Sequence, residues 1–470
     1  MKNLQLPGNP RYQPKSLTEI FGYDNLYRNA IKVEFAAMHA LNRCAYLPNE
    51  IHSLLTPALE ASIIDSITTT IVDKVEREVT HHDVRALVRL IQEKLPEALR
   101  PYVHVPLTSY DVLDTARALQ FKEAYKLSLK PSLVELQLDL VAMVSEHADL
   151  VQIGRTHGQH ALPITVGFWL ATILDRIFTS WIKLDNAQKN LRGKISGAVG
   201  AYNAQEGLWI DDFEYFTLEK LGLKKADIST QIMPPEYLTD FLYACLLISA
   251  ALGQFGRDCR HLMRSEIAEL SEAFDSGQVG SSTMAHKRNP INFENLEGMF
   301  LRNRAEFIKV TDTLISEHQR DLVGSSLMRD LPIIVINLQQ QLDTLNRKKD
   351  GKSFLNRISF DKKNIERNFN QNADYILAEP LYLALQLYGY DGDAHELVNR
   401  KLLPAAKAQK TSLLDQLLTE GGHDEKLQSV ILSIPAEIMT LLKNPKEYIG
   451  RSIQQASSIG MKVVNGLKNR

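Results

Sequence analysis

The stretch PPEYLTDFLYACLLISAALGQFGRDCRHLMRSEIAEL, residues 234–270, decides the fold class. Its apolar side chains follow one another at alternating steps of three and four residues: Leu238, Phe241, Cys245, Ile248, Leu252, Phe255, Cys259 and Leu262. This heptad spacing puts them on one seam of a single helix and is typical of helices that pack at shallow angles in a bundle. The spacing therefore predicts one long bundle helix over this stretch.

Two further stretches predict long helices. The same spacing recurs along one face at Leu170, Leu174, Ile177, Trp181 and Leu184. A third helix is predicted from Asp111 to about His147, with a bend near Pro131, because proline cannot donate to the helical ladder. Helices of this length bury too little surface alone, so we predict an all-α protein whose central long-helix bundle is extended by oligomerisation. A purely structural coiled coil would also explain the seam, but not the polar blocks between the helices.

Length and punctuation predict three domains. At 470 residues the chain is too long to fold around a single hydrophobic core of ordinary size. Residues 1–107 are interpreted as a smaller helical domain and residues 108–352 as the central long-helix bundle. Residues 353–470, where the apolar pattern shortens, are interpreted as a C-terminal helical domain.

Composition argues against several function classes. The 54 Lys and Arg residues against 56 Asp and Glu leave a net charge near zero, so no basic surface for nucleic acid or an anionic membrane is expected. Cys44, Cys245 and Cys259 are far apart and are interpreted as reduced, buried thiols. No signal peptide is found at the start, and no apolar run is judged long enough to span a bilayer. We therefore expect a cytoplasmic protein.

Polar blocks recur near the ends of the predicted long helices. They are VTHHDV, LTSYDVLDT, IGRTHGQHALPIT, GSSTMAHKRNP (residues 280–290) and HQRDLVGSSLMRD. Taken singly, each has an ordinary explanation. TSYD is a typical helix N-cap, a lone histidine is usually a satisfied loop residue, and surface cations are usually solvated. His81 and His82 are adjacent and share no helix face, so no metal site is predicted.

The block GSSTMAHKRNP has the composition of an anion-binding loop. Asn289 followed by Pro290 is a typical helix start, with an N-cap side chain and then proline at the first helical position. The positive end of that helix would face back along the loop, which also carries hydroxyl groups and Lys287. Such a loop would hold carboxylates and favour loss of a serine proton. A polar loop without function is the alternative.

Together the blocks resemble a known superfamily. GSSTMAHKRNP resembles the GSSxMPxKxNP loop of the aspartase/fumarase superfamily, with Ala285 where the family usually has proline. TSYDVLDT and GRTHGQHALPIT resemble its other two shared blocks, in the same order. THGQ, NPINFENLEG and the late block NPKEYIGRS are similar to adenylosuccinate lyases rather than to argininosuccinate lyases or fumarases.

The resemblance implies an activity. Adenylosuccinate lyases split adenylosuccinate into AMP and fumarate, and they release fumarate from SAICAR to give AICAR. This β-elimination needs a base for a C–H proton, an acid for the leaving nitrogen and groups that stabilise the carbanion between the two steps. By resemblance the base is Ser281, with Ser282 beside it, and the acid is His157. No cofactor is implied.

The resemblance also implies the binding residues. Those expected to hold the succinyl part are Thr108, Ser109, Gln231, Lys287, Arg288, Asn289 and Asn295. Those expected at the nucleotide and its phosphate are Arg11, Tyr12, His81, His82, Asp83, Arg320, Ser325, Ser326 and Arg329, since arginine binds phosphate oxygens in pairs. Because these blocks are far apart in sequence, the resemblance implies a homotetramer with shared active sites. The alternatives are another lyase or a cycloisomerase of the same superfamily, or a lyase scaffold without activity.

Overall fold

The computed structural model of the chain describes residues 6, 12–272, 284 and 286–469. Over these residues the protein is mainly helical, and its strands form two-stranded sheets only. The predicted all-α class is confirmed. The chain divides into two compact units. The first unit comprises Met1–Leu136, Ile177–Gln254 and Asn295–Arg347, and the second comprises Gln137–Arg176, Phe255–Glu294 and Lys348–Arg470. The three-domain division at residues 107 and 352 stays a prediction.

The first unit holds most of the short N-terminal helices. Its α-helices are Lys15–Phe21, Tyr23–Arg43, Asn49–His52, Pro57–Ser66, Thr69–Val75, Asp83–Lys94, Ser109–Ala124, Asn203–Gly207, Phe213–Leu221, Val323–Met328 and Pro332–Asn346. Glu76–Thr80 and Tyr125–Leu129 are π-helical turns, and Glu97–Tyr102 is a 3₁₀ helix. The strands Arg192–Gly193 and Lys224–Lys225 pair in parallel.

The second unit holds the C-terminal helices and three antiparallel strand pairs. Its helices include Lys362–Asn370, Ala378–Leu387, Ala394–Glu396, Leu403–Gln409, Leu413–Gly421, Glu425–Ser433, Ala436–Lys443 and Ser452–Lys468, with Leu397–Leu402 π-helical and Leu355–Arg357 and Pro445–Glu447 3₁₀. Among the described residues, the strand pairs are Val151–Thr156 with Gln159–Thr165, Leu270–Ser271 with Ser359–Phe360, and Lys348–Lys349 with Lys352–Ser353. The long helices Lys130–Glu146, Val166–Lys189, Glu236–Leu262 and Ile291–Asp312 contribute residues to both units.

The long helices that carry the heptad spacing are confirmed. Helix Glu236–Leu262 covers the first seam, whose side chains from Phe241 to Cys259 are buried. The second seam, on helix Val166–Lys189, is buried throughout. Because both seams are covered inside one chain, their spacing alone is not evidence for an oligomer.

Helix Glu236–Leu262 corrects one expectation. Among the described residues, this helix has the length and apolar composition that a membrane-spanning helix needs. No apolar run of that length is expected from the sequence. More than half of its most apolar window is buried inside the chain, as in the core helix of a soluble protein.

The third predicted helix begins at Ser109 and continues to Glu146 through the π-helical turn Tyr125–Leu129. Pro131 lies two residues after the last residue of this turn, Leu129, and cannot donate a hydrogen bond to the carbonyl of residue 127. The π-helical turn accommodates this missing hydrogen bond, since π turns occur where the regular i→i−4 hydrogen-bond pattern of a helix is interrupted. The structure has a π-helical turn beside Pro131, and the bend predicted there stays a prediction.

The cysteines are only partly as predicted. Cys245 and Cys259 are buried free thiols, and burial raises the pKa of each. Cys44 is also free but only partly buried, because its thiol lies near the surface, 3.1 Å from the carbonyl oxygen of Asp211.

A buried ion pair fixes the start of helix Ser109–Ala124. The side chains of Lys194 and Asp111 are both 0% exposed, and the ammonium donates to Asp111 Oδ1. Asp111 also accepts the backbone N–H of Thr108 at 2.9 Å and of Gly197 at 3.2 Å. Thr108 is the N-cap residue, as predicted. The pair therefore holds the Thr108–Ser109 segment against the segment that contains Gly197.

We predict that Lys194→Met lowers the free energy of unfolding by about 3–5 kcal/mol, because it leaves a buried carboxylate without its cation. The matched control is Lys32→Met, which removes a half-exposed cation 3.3 Å from Glu123 in the same unit. That change should cost less than about 1 kcal/mol. Urea unfolding at one fixed protein concentration measures both values, and an equal loss in the two variants would contradict this account.

Candidate active site

His157 lies at the tip of a β-hairpin. The strands Val151–Thr156 and Gln159–Thr165 pair antiparallel, with Thr156 opposite Gln159. His157 and Gly158 form the two-residue turn, with φ values of 55° and 76°. Positive φ at both turn positions is typical of a type I′ hairpin turn. The imidazole is exposed, so the hairpin presents it to its surroundings.

The helical periodicity of the sequence predicts no strand in this block. The run VQIGRT, followed by a His-Gly pair, is the signal that was available, since a turn pair with glycine between two short β-prone runs predicts a hairpin. This hairpin signal is weaker than the helical periodicity of the flanking sequences, so it does not by itself predict a hairpin.

A second histidine on the hairpin, His160, is held in place. Its Nδ1 lies 3.0 Å from the side-chain nitrogen of Asn372, which can only donate. Burial lowers the pKa of His160, and the nearby Arg155 guanidinium acts in the same direction. Both effects favour the neutral ring, whereas the Glu269 carboxylate acts on the pKa of His160 in the opposite direction. His157, at the exposed tip, is the candidate proton donor on this hairpin.

A buried carboxylate anchors the hairpin. The side chain of Glu269 is 0% exposed and faces the strand Val151–Thr156. It accepts hydrogen bonds from Gln152 Nε2 at 2.6 Å, from Arg155 Nη1 at 3.2 Å and from Arg155 Nη2. Asn368 Nδ2 adds a further bond at 2.9 Å. Because the carboxylate is enclosed and fully hydrogen-bonded, the strand that leads to His157 has one fixed position.

Glu272, three residues later, caps the helix that follows GSSTMAHKRNP. Its Oε1 accepts the backbone N–H of Asn292 at 2.9 Å and of Phe293 at 3.0 Å. Its Oε2 accepts from Asn292 Nδ2 at 2.7 Å, and the residue is only 2% exposed. A carboxylate at this position compensates the positive end of the helix.

This arrangement corrects the predicted anion site. The helix begins at Ile291, one residue later than the sequence indicated, so Asn289 is not the N-cap. Two of its first-turn N–H groups, expected to face a substrate carboxylate, donate to Glu272. Any stabilisation of a substrate anion by this block then depends on its side chains rather than on these amides.

Several predicted residues belong to this part of the chain. Ser281, Ser282 and Ala285 lie outside the described residues. Lys287 and Arg288 are exposed, Asn289 is half-buried, and Lys287 donates its backbone N–H to the carbonyl of Met284 at 3.0 Å. Asn295, on the same helix but in the first unit, is exposed.

In the first unit, Arg320 and Ser325 meet at Tyr110. Arg320 Nη2 donates to Ser325 Oγ at 2.9 Å, and its Nε donates to the carbonyl of Asp321 at 2.9 Å. The guanidinium carbon lies 3.3 Å from the centroid of the Tyr110 ring. The Tyr110 hydroxyl lies 3.0 Å from Ser325 Oγ. Tyr110 follows Ser109 directly in the block LTSYDVLDT, so two of the predicted blocks meet here. Tyr110 itself is not among the predicted site residues.

These three residues line a cleft within the first unit. Arg320 Nη1 and the Nε of Arg192, which also lines the cleft, are buried and have no hydrogen-bond partner among the described residues. Asp114 is a buried residue of the same lining, with Arg117 Nη1 3.2 Å from its Oδ1. Burial raises the pKa of the Asp114 carboxyl, and the Arg117 guanidinium acts in the opposite direction. Two arginines that line the cleft therefore each carry a buried N–H group that lacks an acceptor among the described residues.

The remaining predicted site residues belong to the first unit. Gln231 is half-buried and donates its backbone N–H to the carbonyl of Gln319 at 3.3 Å, next to Arg320. His82 is the N-cap of helix Asp83–Lys94, where its Nδ1 accepts from Arg85 N at 3.5 Å, and His81 has a φ of 50°. Tyr12, Ser326 and Arg329 are exposed, Thr108, Ser109 and Asp83 are half-buried, and Arg11 is not among the described residues.

Within the described ranges, no hydrogen bond or ion pair joins the block His81–Asp83 to Arg320 or Ser325. The same ranges contain no group of three or more His, Cys, Asp or Glu side chains arranged to hold a metal ion.

Comparison with known proteins assigns the family. A family model described as lyase matches residues 15–303. The adenylosuccinate lyase of Pyrococcus horikoshii is 34% identical over 435 residues, which are 89% of this chain and 93% of that protein. The adenylosuccinate lyase of Methanocaldococcus jannaschii is 32% identical over 99% of this chain and 96% of its own length. The solved 3-carboxy-cis,cis-muconate lactonizing enzyme from Pseudomonas putida has a TM-score of 0.78 at 25% identity and covers 96% of this chain and 98% of its own. The chain therefore belongs to the lyase family of the aspartase/fumarase superfamily that includes the adenylosuccinate lyases.

Proposed function

We propose that the chain is an adenylosuccinate lyase, a C–N lyase of purine nucleotide biosynthesis. It eliminates fumarate from adenylosuccinate to leave AMP, and from SAICAR to leave AICAR. The observation that carries this proposal is the 34% and 32% identity to adenylosuccinate lyases over 89% and 99% of the chain. The enzyme acts in the cytoplasm.

Ser281 is the base and His157 is the acid in the proposed mechanism. The Ser281 alkoxide takes a proton from the succinyl β-carbon, and the electron pair left behind is delocalised into the neighbouring carboxylate. The C–N bond then breaks, and the imidazolium of His157 gives its proton to the purine nitrogen. The exposed ring at the tip of a hairpin anchored by Glu269 supports the role of His157.

The binding residues divide by the part of the substrate that they hold. Lys287 and Arg288 compensate the charge of the succinyl carboxylates, and the polar residues Thr108, Ser109, Gln231, Asn289 and Asn295 donate hydrogen bonds to the same part. Arg320, Ser325, Ser326, Arg329, Arg11 and Tyr12 hold the phosphate end, and His81, His82 and Asp83 contact the nucleoside. The buried, unpartnered Nη1 of Arg320 supports the phosphate assignment, because a phosphate oxygen would supply the acceptor that this N–H lacks.

The functional assembly in this proposal is a homotetramer in which several subunits contribute to each active site. Exposed apolar side chains on the long helices support it: Leu138 is 47% exposed, Tyr243 48%, Leu301 42% and Ile308 63%. Exposed apolar surface on core helices is typical of subunit interfaces.

A substrate panel tests the proposed function. Purified protein is incubated separately with adenylosuccinate, argininosuccinate, and fumarate with ammonia, and fumarate is followed by absorbance. We expect fumarate release from adenylosuccinate only, with AMP formed in equal amount. Turnover of argininosuccinate or amination of fumarate would assign a different member of the superfamily, and no turnover of any substrate would contradict lyase activity.

We predict that Ser281→Ala and His157→Ala each lower kcat by about a hundredfold or more, because each removes one proton-transfer group. The control is His423→Ala, which removes an exposed histidine elsewhere in the second unit and should leave kcat unchanged. The elution volume in size-exclusion chromatography should be the same for all variants. A Ser281 or His157 variant that keeps more than about a tenth of the wild-type rate would rule out the assigned role.

We predict that Glu269→Gln lowers kcat by about ten- to a hundredfold with a smaller change in KM. The amide cannot accept both N–H groups of Arg155, so the hairpin loses its fixed position, and small misplacements of a catalytic group have effects of this size. Steady-state kinetics on the folded variant separates the two constants. The matched control is Glu366→Gln, a change at an exposed carboxylate of the same unit. An unchanged kcat in Glu269→Gln would show that the anchor does not position His157.

A further inference from the structure

Tyr110 holds Arg320 in a fixed orientation through two different contacts. The guanidinium carbon lies 3.3 Å from the ring centroid, so the cation rests on the face of the ring. The Tyr110 hydroxyl lies 3.0 Å from Ser325 Oγ, and the same oxygen accepts from Arg320 Nη2 at 2.9 Å. The tyrosine therefore contacts the arginine directly with its ring and indirectly through the serine.

These contacts decide which N–H groups of Arg320 are already used. Nε donates to the carbonyl of Asp321, and Nη2 donates to Ser325. Nη1 is buried and has no hydrogen-bond partner among the described residues. A buried N–H of a charged group without an acceptor is costly, so this atom indicates a place for an anionic ligand in the cleft.

Neither contact alone would hold the guanidinium. The ring face allows rotation of the cation over it, because the attraction depends little on direction. The bond between the Tyr110 hydroxyl and Ser325 removes this freedom, since it sets the position of the oxygen that accepts from Nη2. With Nη2 and Nε both fixed, the planar guanidinium has one orientation, and Nη1 points to one place.

We propose that Tyr110 is a positioning residue that orients Arg320 toward the 5′-phosphate of the nucleotide, and thereby makes the site favour phosphorylated over unphosphorylated ligands. The inference rests on the proposed function for the identity of the nucleotide. It adds a residue, and a reason for phosphate selectivity, that the assignment of Arg320 and Ser325 does not contain.

The test compares AMP with adenosine, which differ only in the phosphate. Both are titrated calorimetrically into the full-length wild type and into Tyr110→Phe, which keeps the ring and removes the hydroxyl. The control is Tyr215→Phe, which removes a hydroxyl that donates to Glu219 at 2.9 Å on the surface of the same unit. Thermal unfolding of each protein establishes that it is folded.

We expect Tyr110→Phe to weaken AMP binding by about five- to tenfold, the size expected for one hydrogen bond beside a charged group, and adenosine binding by less than about twofold. Tyr215→Phe should change neither. A second variant, Tyr110→Leu, also removes the ring face and should weaken AMP binding further than Tyr110→Phe does.

Three results would overturn the inference: unchanged AMP binding in Tyr110→Phe, equal weakening of AMP and adenosine, or a wild type that does not bind AMP more tightly than adenosine. The substrate panel judges the proposed function separately. If the wild type fails to cleave adenylosuccinate but distinguishes AMP from adenosine through Tyr110, the phosphate site stands and the proposed reaction does not.

Discussion

The enclosed carboxylate of Glu269 accepts hydrogen bonds from Gln152, Arg155 and Asn368, and it has no exposed surface. A charge removed from water in this way is tolerated only when its partners are all in place, so the carboxylate and the strand that supplies its donors have one stable arrangement. The hairpin tip with His157 follows directly from that strand. Glu272 applies the same constraint, three residues later, to the first turn of the helix that begins at Ile291.

The first unit uses the same physical device. Asp111, paired with Lys194 and bonded to the N–H of Thr108, fixes the start of the helix that presents Ser109 and Tyr110. Tyr110 then orients Arg320 in the cleft. In both units, those of the proposed substrate contacts that the structure describes are exposed or half-buried, while the carboxylates that position them are buried. This division suits a site that binds anions, because the buried acids are neutralised locally and leave the cationic side chains for the substrate.

The long helices could be predicted from the sequence because their buried apolar residues are spaced by three and four positions, as from Phe241 to Cys259. The hairpin could not, because its short strands offer few alternations and lie between strong helical patterns. The anchoring role of Glu269 could not be predicted from the sequence, because its hydrogen-bond partners Arg155 and Gln152 lie 114 and 117 residues earlier in the chain. His157, Ser281 and Arg320 are singled out by the resemblance of their blocks, and their roles stay predictions. Tyr110 is not predicted from the sequence, because TSYD is already explained as a helix cap.

The most direct measurement is a crystal structure of the Ser281→Ala variant with adenylosuccinate bound, since this change removes the base and leaves the binding groups in place. We expect His157 to lie within hydrogen-bond reach of the purine nitrogen that leaves, about 2.6–3.2 Å, and the phosphate to accept from Arg320 Nη1. A substrate bound with its phosphate away from Arg320, or with no subunit bringing His157 to that nitrogen, would contradict this proposal.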